Sequence, residues 1–167
     1  DASVRGFEVI DVDALTRPLA QDKPCGDNLE YHADFQALET AARGRPEQQS
    51  GGRDGKPVVI PAEAPAWDEV ERRALDLLER TRDLRVAVLL TRALTRTNGL
   101  AGLAQGLELL DRMVDSAWND VHPQIDPGDD DDPIMRINAL AALVDPGALI
   151  RDLRAATFVG DPRQGRC

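Results

Sequence analysis

The side chains able to do chemistry in this chain are few and scattered. The two histidines, His32 and His122, lie far apart, and the two cysteines, Cys25 and Cys167, form no CxxC pair. A zinc centre needs three or four such donors at short spacing, so none is expected. Nucleophilic catalysis needs a hydroxyl or thiol beside a base that a third group orients. The only serines are Ser3, Ser50 and Ser116, and none stands in a GxSxG elbow. No Walker loop and no GxGxxG fingerprint occur, and the glycine-rich run Ser50–Gly55 lacks the Gly-Lys-Ser/Thr ending that cradles phosphate. Neighbouring acids such as Asp11 and Asp13, or Asp115 and Asp120, read as solvated faces rather than an acid/base dyad. No catalytic, cofactor-binding or metal-binding residue is assigned, and no enzyme activity is expected.

One acid run needs weighing. Asp126 and Asp129 to Asp132 place five aspartates in seven positions. Such oxygens suit a hard cation like Ca²⁺, and a metal-assisted hydrolase built on them is the enzymatic alternative. The spacing departs from the EF-hand loop, however, and its terminal Glu is missing. The simpler reading has Asp130, Asp131 or Asp132 capping a helix entered through Pro133, with the others solvated.

The elements that would position these groups are mainly helical. The chain has 167 residues, with 42 Leu and Ala against 25 Val, Ile and Thr. Unbranched and small apolar residues lose less freedom in a helix than β-branched ones. With 20 basic and 30 acidic residues the net charge is −10, and only 6 aromatics are present. That balance disfavours nucleic acid and anionic membrane surfaces as partners. No apolar run reaches the roughly 18 residues of a membrane span, and no export-signal pattern opens the chain. The start at Asp1 rather than Met reads as an excised or processed end. Two cysteines make no disulfide framework, which fits the reducing cytoplasm.

The periodicity predicts a compact bundle of about six to seven helices, with at most one short strand or hairpin near residues 58–60. A short helix is expected over Asp11–Leu19 and another over Ala33–Arg43, with Phe35, Leu38 and Ala42 on one face. Residues 44–57 read as a flexible loop, and Pro61 ends the β-branched run Val58-Val59-Ile60. Trp67, Val70, Ala74, Leu77 and Leu78 open the next helix. Asp83 caps a helix apolar nearly all round, in which Leu89 is expected to be core. Asn98-Gly99 stops it, and a stripe of Leu100, Leu103, Leu107, Leu110 and Val114 leads to Trp118. Ile134, Ile137, Leu140, Ala141 and Val144 share one side of a further helix, and Pro146 starts a last one through Leu153. Trp67 and Trp118 lie on apolar stripes, which places both in the core. The ordered part is expected over 11–156, with 1–10 and 157–167 as tails.

Several blocks then form an ordered series. They are Pro24-Cys25-Gly26 with Leu29, Tyr31 and Phe35; Pro61 followed by Trp67; Arg82 to Ala87 with Leu84; Trp118, His122 and Pro123; and Asp126, followed by Arg136, Asn138 and Leu140. This series resembles the ImpA-type N-terminal domain of TssA-like proteins of the bacterial type VI secretion system. The resemblance implies a cytoplasmic, non-enzymatic assembly domain. Its partners would be baseplate, sheath, tube or membrane-complex proteins of that machine. Ring formation would reside in a C-terminal region beyond this chain, leaving this domain a monomer or weak dimer. On this reading the blocks mostly hold the fold, with Arg136 pairing an acid. Exposed residues beside them, Arg53 and Lys56 in the loop and Asp129, Asp130 and Asp131 in the acid run, are the candidate interaction surface.

Overall fold

The computed structural model describes residues 9–51, 57–125, 128 and 130–156. Among these the chain forms six helices and one antiparallel pair of strands. The helices are α1 (Val12–Thr16), α2 (Ala33–Arg43), α3 (Trp67–Leu78), α4 (Leu84–Ala117), α5 (Ile134–Ala141) and α6 (Leu149–Ala155); the strands are β1 (Gln48–Gly51) and β2 (Pro57–Ile60).

Helix starts follow local chemistry. The Asp11 carboxylate accepts the Ala14 N–H at 2.9 Å, and the Asp83 carboxylate accepts the Arg85 N–H at 2.8 Å. At α2 the cap is His32, whose Nδ1 accepts the Asp34 N–H at 3.2 Å. Each bond satisfies a donor that the first turn leaves without a partner. The first helix is shorter than its apolar spacing predicts. Arg17 is extended, as residues before proline tend to be, and Pro18 follows.

α4 is the centre of the molecule and touches α1, α3, α5 and α6, while α2 packs on α3. It is not one straight rod. Gly99 takes φ 62°, ψ −137°, a conformation closed to most L side chains. Beyond it the second half folds back on the first. A Cβ on Gly102 would overlap the Leu94 carbonyl, and one on Gly106 would lie 2.7 Å from the Thr91 Cγ2. The Gly102-x-x-x-Gly106 spacing thus lets two helical backbones lie almost in contact. This close approach sets which face of the second half points inward. Gly102, Gly106, Leu109, Leu110 and Met113 are buried, whereas Leu100 and Leu107 are exposed. The leucine stripe expected as core is therefore rotated toward the rim. Leu89 is likewise only half-buried, and Leu90 beside it is fully buried. Phe35, Leu38, Val70, Leu77, Leu78, Leu84 and Val86 complete one continuous core.

The segment expected to be all loop contains a strand. β1 pairs with β2 in the register Gln48↔Ile60 to Gly51↔Pro57. A reciprocal main-chain pair, Arg45 with Glu63, extends this ribbon to the end of α2. Gln48 and Gln49 are polar and exposed, so side-chain pattern gave no sign of β1. Its partner's β-branched run required a neighbour, and backbone pairing is indifferent to side-chain polarity.

Candidate functional site

Three stretches distant in sequence meet where α4 begins and ends. The Arg82 N–H donates to the Cys25 carbonyl at 2.7 Å, and the His122 N–H to the Arg82 carbonyl at 2.9 Å. The Leu84 N–H donates to the His122 carbonyl at 2.9 Å, and His122 Nε2 lies 3.1 Å from the Gly26 carbonyl oxygen. The blocks around Pro24-Cys25-Gly26, Arg82–Leu84 and His122-Pro123 are therefore one junction. Gly26 has φ 68°, and a Cβ there would overlap the Arg80 carbonyl, so the position admits glycine alone.

Two arginines finish the junction. Arg82 donates to the carbonyls of Ala14 at 3.2 Å, Arg17 at 2.9 Å and Leu78, gathering the ends of α1 and α3. Arg136 donates to Pro123 O at 2.8 Å, Val121 O at 2.9 Å and Trp118 O, gathering the exit of α4. Helix ends carry unpaired carbonyls and partial negative charge, which a guanidinium fork satisfies. Arg136 is only 1% exposed, and burial pulls its pKa below the usual arginine value. The carboxylate partner expected for Arg136 is not among the described residues; main-chain carbonyls take its place. Its reach for them fixes the rotation of α5. Ile134, Ile137 and Val144, expected to face the core, are exposed instead.

Charged pairs brace the junction and the first half of α4. Asp83, fully buried, holds Arg85 through contacts of 3.1 and 2.8 Å. Arg85 also reaches Glu30 at 3.2 Å and lies 4.9 Å over the Phe35 ring. Arg92 pairs with buried Asp152 at 2.7 Å and lies over Trp67, which is half-buried against the core. Sequence reasoning missed the Arg92–Asp152 pair, since nothing local links residues so far apart. Trp118 is not core. It is 37% exposed, with the Arg136 guanidinium 4.5 Å from its ring centroid.

The remaining sequence-derived positions separate by burial. Cys25, Leu84 and Pro123 are buried, and Pro24, Leu29 and Leu140 partly so. Pro61, Asn138, Asp130 and Asp131 are exposed, and Tyr31 is 85% exposed. Asp126, Asp129, Arg53 and Lys56 lie outside the described residues. Of the acid run, Asp132 accepts the Ile134 N–H at 2.9 Å.

The junction offers little for catalysis. The Cys25 thiol is buried, and burial, then the nearby Asp120 charge, pushes its pKa up, away from the reactive thiolate. A cleft of about 230 Å³ beside it is walled by Asp22, Asp27 and Asp120, and its ammonium, Lys23, is taken by Asp27 at 2.7 Å. Among the described residues no three His, Cys, Asp or Glu side chains converge to hold a metal ion.

A family model described as ImpA, N-terminal, type VI secretion system, matches residues 16–145. The chain belongs to this ImpA-type N-terminal family. It is 45% identical over 136 residues to the type VI secretion system component TssA1 of Pseudomonas aeruginosa. That match covers 81% of this chain and 38% of the relative. A solved structure of the N-terminal domain, including the conserved ImpA_N region, of TssA from Burkholderia cenocepacia superposes with a TM-score of 0.62 at 32% identity. It covers 83% of this chain and 49% of that one. The chain thus spans half or less of the length of these relatives. Its mainly helical fold matches that of the solved Burkholderia cenocepacia domain. Among the described residues no helix is long and apolar enough to cross a membrane.

Proposed function

We propose that this ImpA-type domain is a non-enzymatic assembly module. It makes protein–protein contacts with other type VI secretion components, at the baseplate or sheath end, while tube and sheath assemble in the bacterial cytoplasm. The observation that carries this reading is the division of labour among its residues. The two buried guanidinium groups of the junction are spent on main-chain carbonyls and the Asp83 carboxylate on a helix cap, while large apolar side chains are left on the surface, where partners bind. Ring formation belongs, on this reading, to the part of the protein beyond this chain.

The test is a chromosomal deletion of this domain from its full-length protein, with a fluorescent sheath subunit followed by microscopy. Loss of sheath assembly, with secretion-machine proteins captured by the tagged domain in pairwise binding tests, supports the proposal. Normal assembly without the domain overturns it. Altered ring stability with recruitment unchanged would instead make the domain a structural support for its own chain.

A further inference from the structure

We infer that the outward face of α5 is a docking surface for an amphipathic helix of a partner protein that carries lysine or arginine at both ends of its apolar stripe. The inference deepens the assembly reading and rests on it for the partner being a protein. Ile134 and Ile137 are 45% and 55% exposed and, with exposed Ala141, fall at i, i+3 and i+7 on one face of α5; Val144, 76% exposed, lies in the turn that follows the helix. Met135 beside them is 51% exposed. Arg136 holds this orientation, because its three carbonyl bonds turn the opposite side of α5 inward. A helix laid in parallel register along such a face meets it through the same i, i+3, i+7 positions.

Charge selects the occupant. Exposed Asp130 and Asp131 stand before the stripe, and exposed Asp145 stands just after it. None of the three has a cationic partner among the described residues. A second copy of this chain is a poor fit. Parallel packing would set Asp130 and Asp131 against themselves, and antiparallel packing would set them against Asp145. A partner with basic ends meets acid at both ends of the stripe in either direction.

The probe is a lactam-stapled peptide of about three helical turns, with Leu at i, i+3, i+7 and i+10 and Lys at both ends; the control carries Glu in place of Lys. Binding to the whole chain is read by fluorescence anisotropy and mapped by amide chemical shifts. The expected result is binding of the Lys peptide alone, with shifts concentrated at 134–145. Ile137→Asp and Val144→Asp, both at exposed positions, should each weaken it tenfold or more. Asp130→Asn with Asp131→Asn should weaken it and flatten its salt dependence. Equal binding of both peptides, no effect of either apolar variant, or shifts mapping elsewhere would overturn the inference. So would tighter binding by a Phe158→Ser, Val159→Ser variant, which would make the chain's own C-terminal segment the occupant. A dimer of the chain abolished by Ile137→Asp would make it a second copy. If the peptide fails while domain deletion still stops sheath assembly, the docking surface falls and the assembly reading stands.

Discussion

Arg82 and Arg136 solve the same problem at different helix ends: each buries a guanidinium among three main-chain carbonyls instead of pairing it with a carboxylate. Together they tie the exits of α1, α3 and α4 to the junction that Cys25, Gly26 and His122 complete. A fork of fixed donors can serve carbonyls on different segments at once, which a single ammonium cannot.

Arg136→Met should therefore be costly although Met keeps an unbranched apolar stem in place of the arginine's. Loss of the guanidinium leaves three carbonyls without their donor, at about 1–3 kcal/mol for each one that stays buried and unsatisfied. Arg136→Lys should recover little of it. Urea unfolding of the two variants measures this, and an unchanged midpoint for either would refute the role given to the fork.

Glycine substitutions should sort by what a Cβ would strike. Gly26→Ala meets both a positive φ and the Arg80 carbonyl, and Gly102→Ala meets the Leu94 carbonyl. Each should cost more than about 2 kcal/mol. Gly51→Ala meets nothing within 4 Å and should stay within about 0.5 kcal/mol of the parent. Thermal melts of the three variants would decide it.

Leu90→Ala and Leu89→Ala differ by one residue and should differ sharply in effect. Leu90 is fully buried, so its truncation leaves a cavity and costs about 3–5 kcal/mol. Leu89 is half-buried, and its truncation should cost less than half as much. Equal losses in chemical denaturation would mean that the rotation of α4 is misplaced.

Cys25 should make stability fall on the alkaline side. Burial raises its pKa in the folded state, so the unfolded thiol ionises first. The stabilisation is whole below the thiol's ordinary pKa, about 8.5, and is lost as pH rises from there through the raised folded value. The stability gap between the parent and Cys25→Ala should accordingly narrow between pH 8 and pH 10. A gap that stays constant over that range would contradict the assignment.

Much of the fold was legible because its signals are local. The limits of α2 and α3 follow from apolar spacing, and the start of α4 from the Asp83 cap. What escaped sequence reasoning depends on partners distant in the chain. Arginine spacing carries no hint that Arg136 takes carbonyls, so apolar spacing alone turns the exposed face of α5 inward. The rotation of the second half of α4 followed its two glycines, not its leucines, and the Gly102-x-x-x-Gly106 spacing was the available sign. The junction itself was visible as separate blocks, whose meeting point only the three-dimensional arrangement reveals.

The turn at Gly99 and the bonds joining residues 82–84 to His122 close α4 into a loop pinned at its base. Tension applied at Arg82 and His122 would fall first on that pin, because the two residues are bonded to each other directly. The helical arms between them would feel the pull only after the hydrogen bonds at the base had parted.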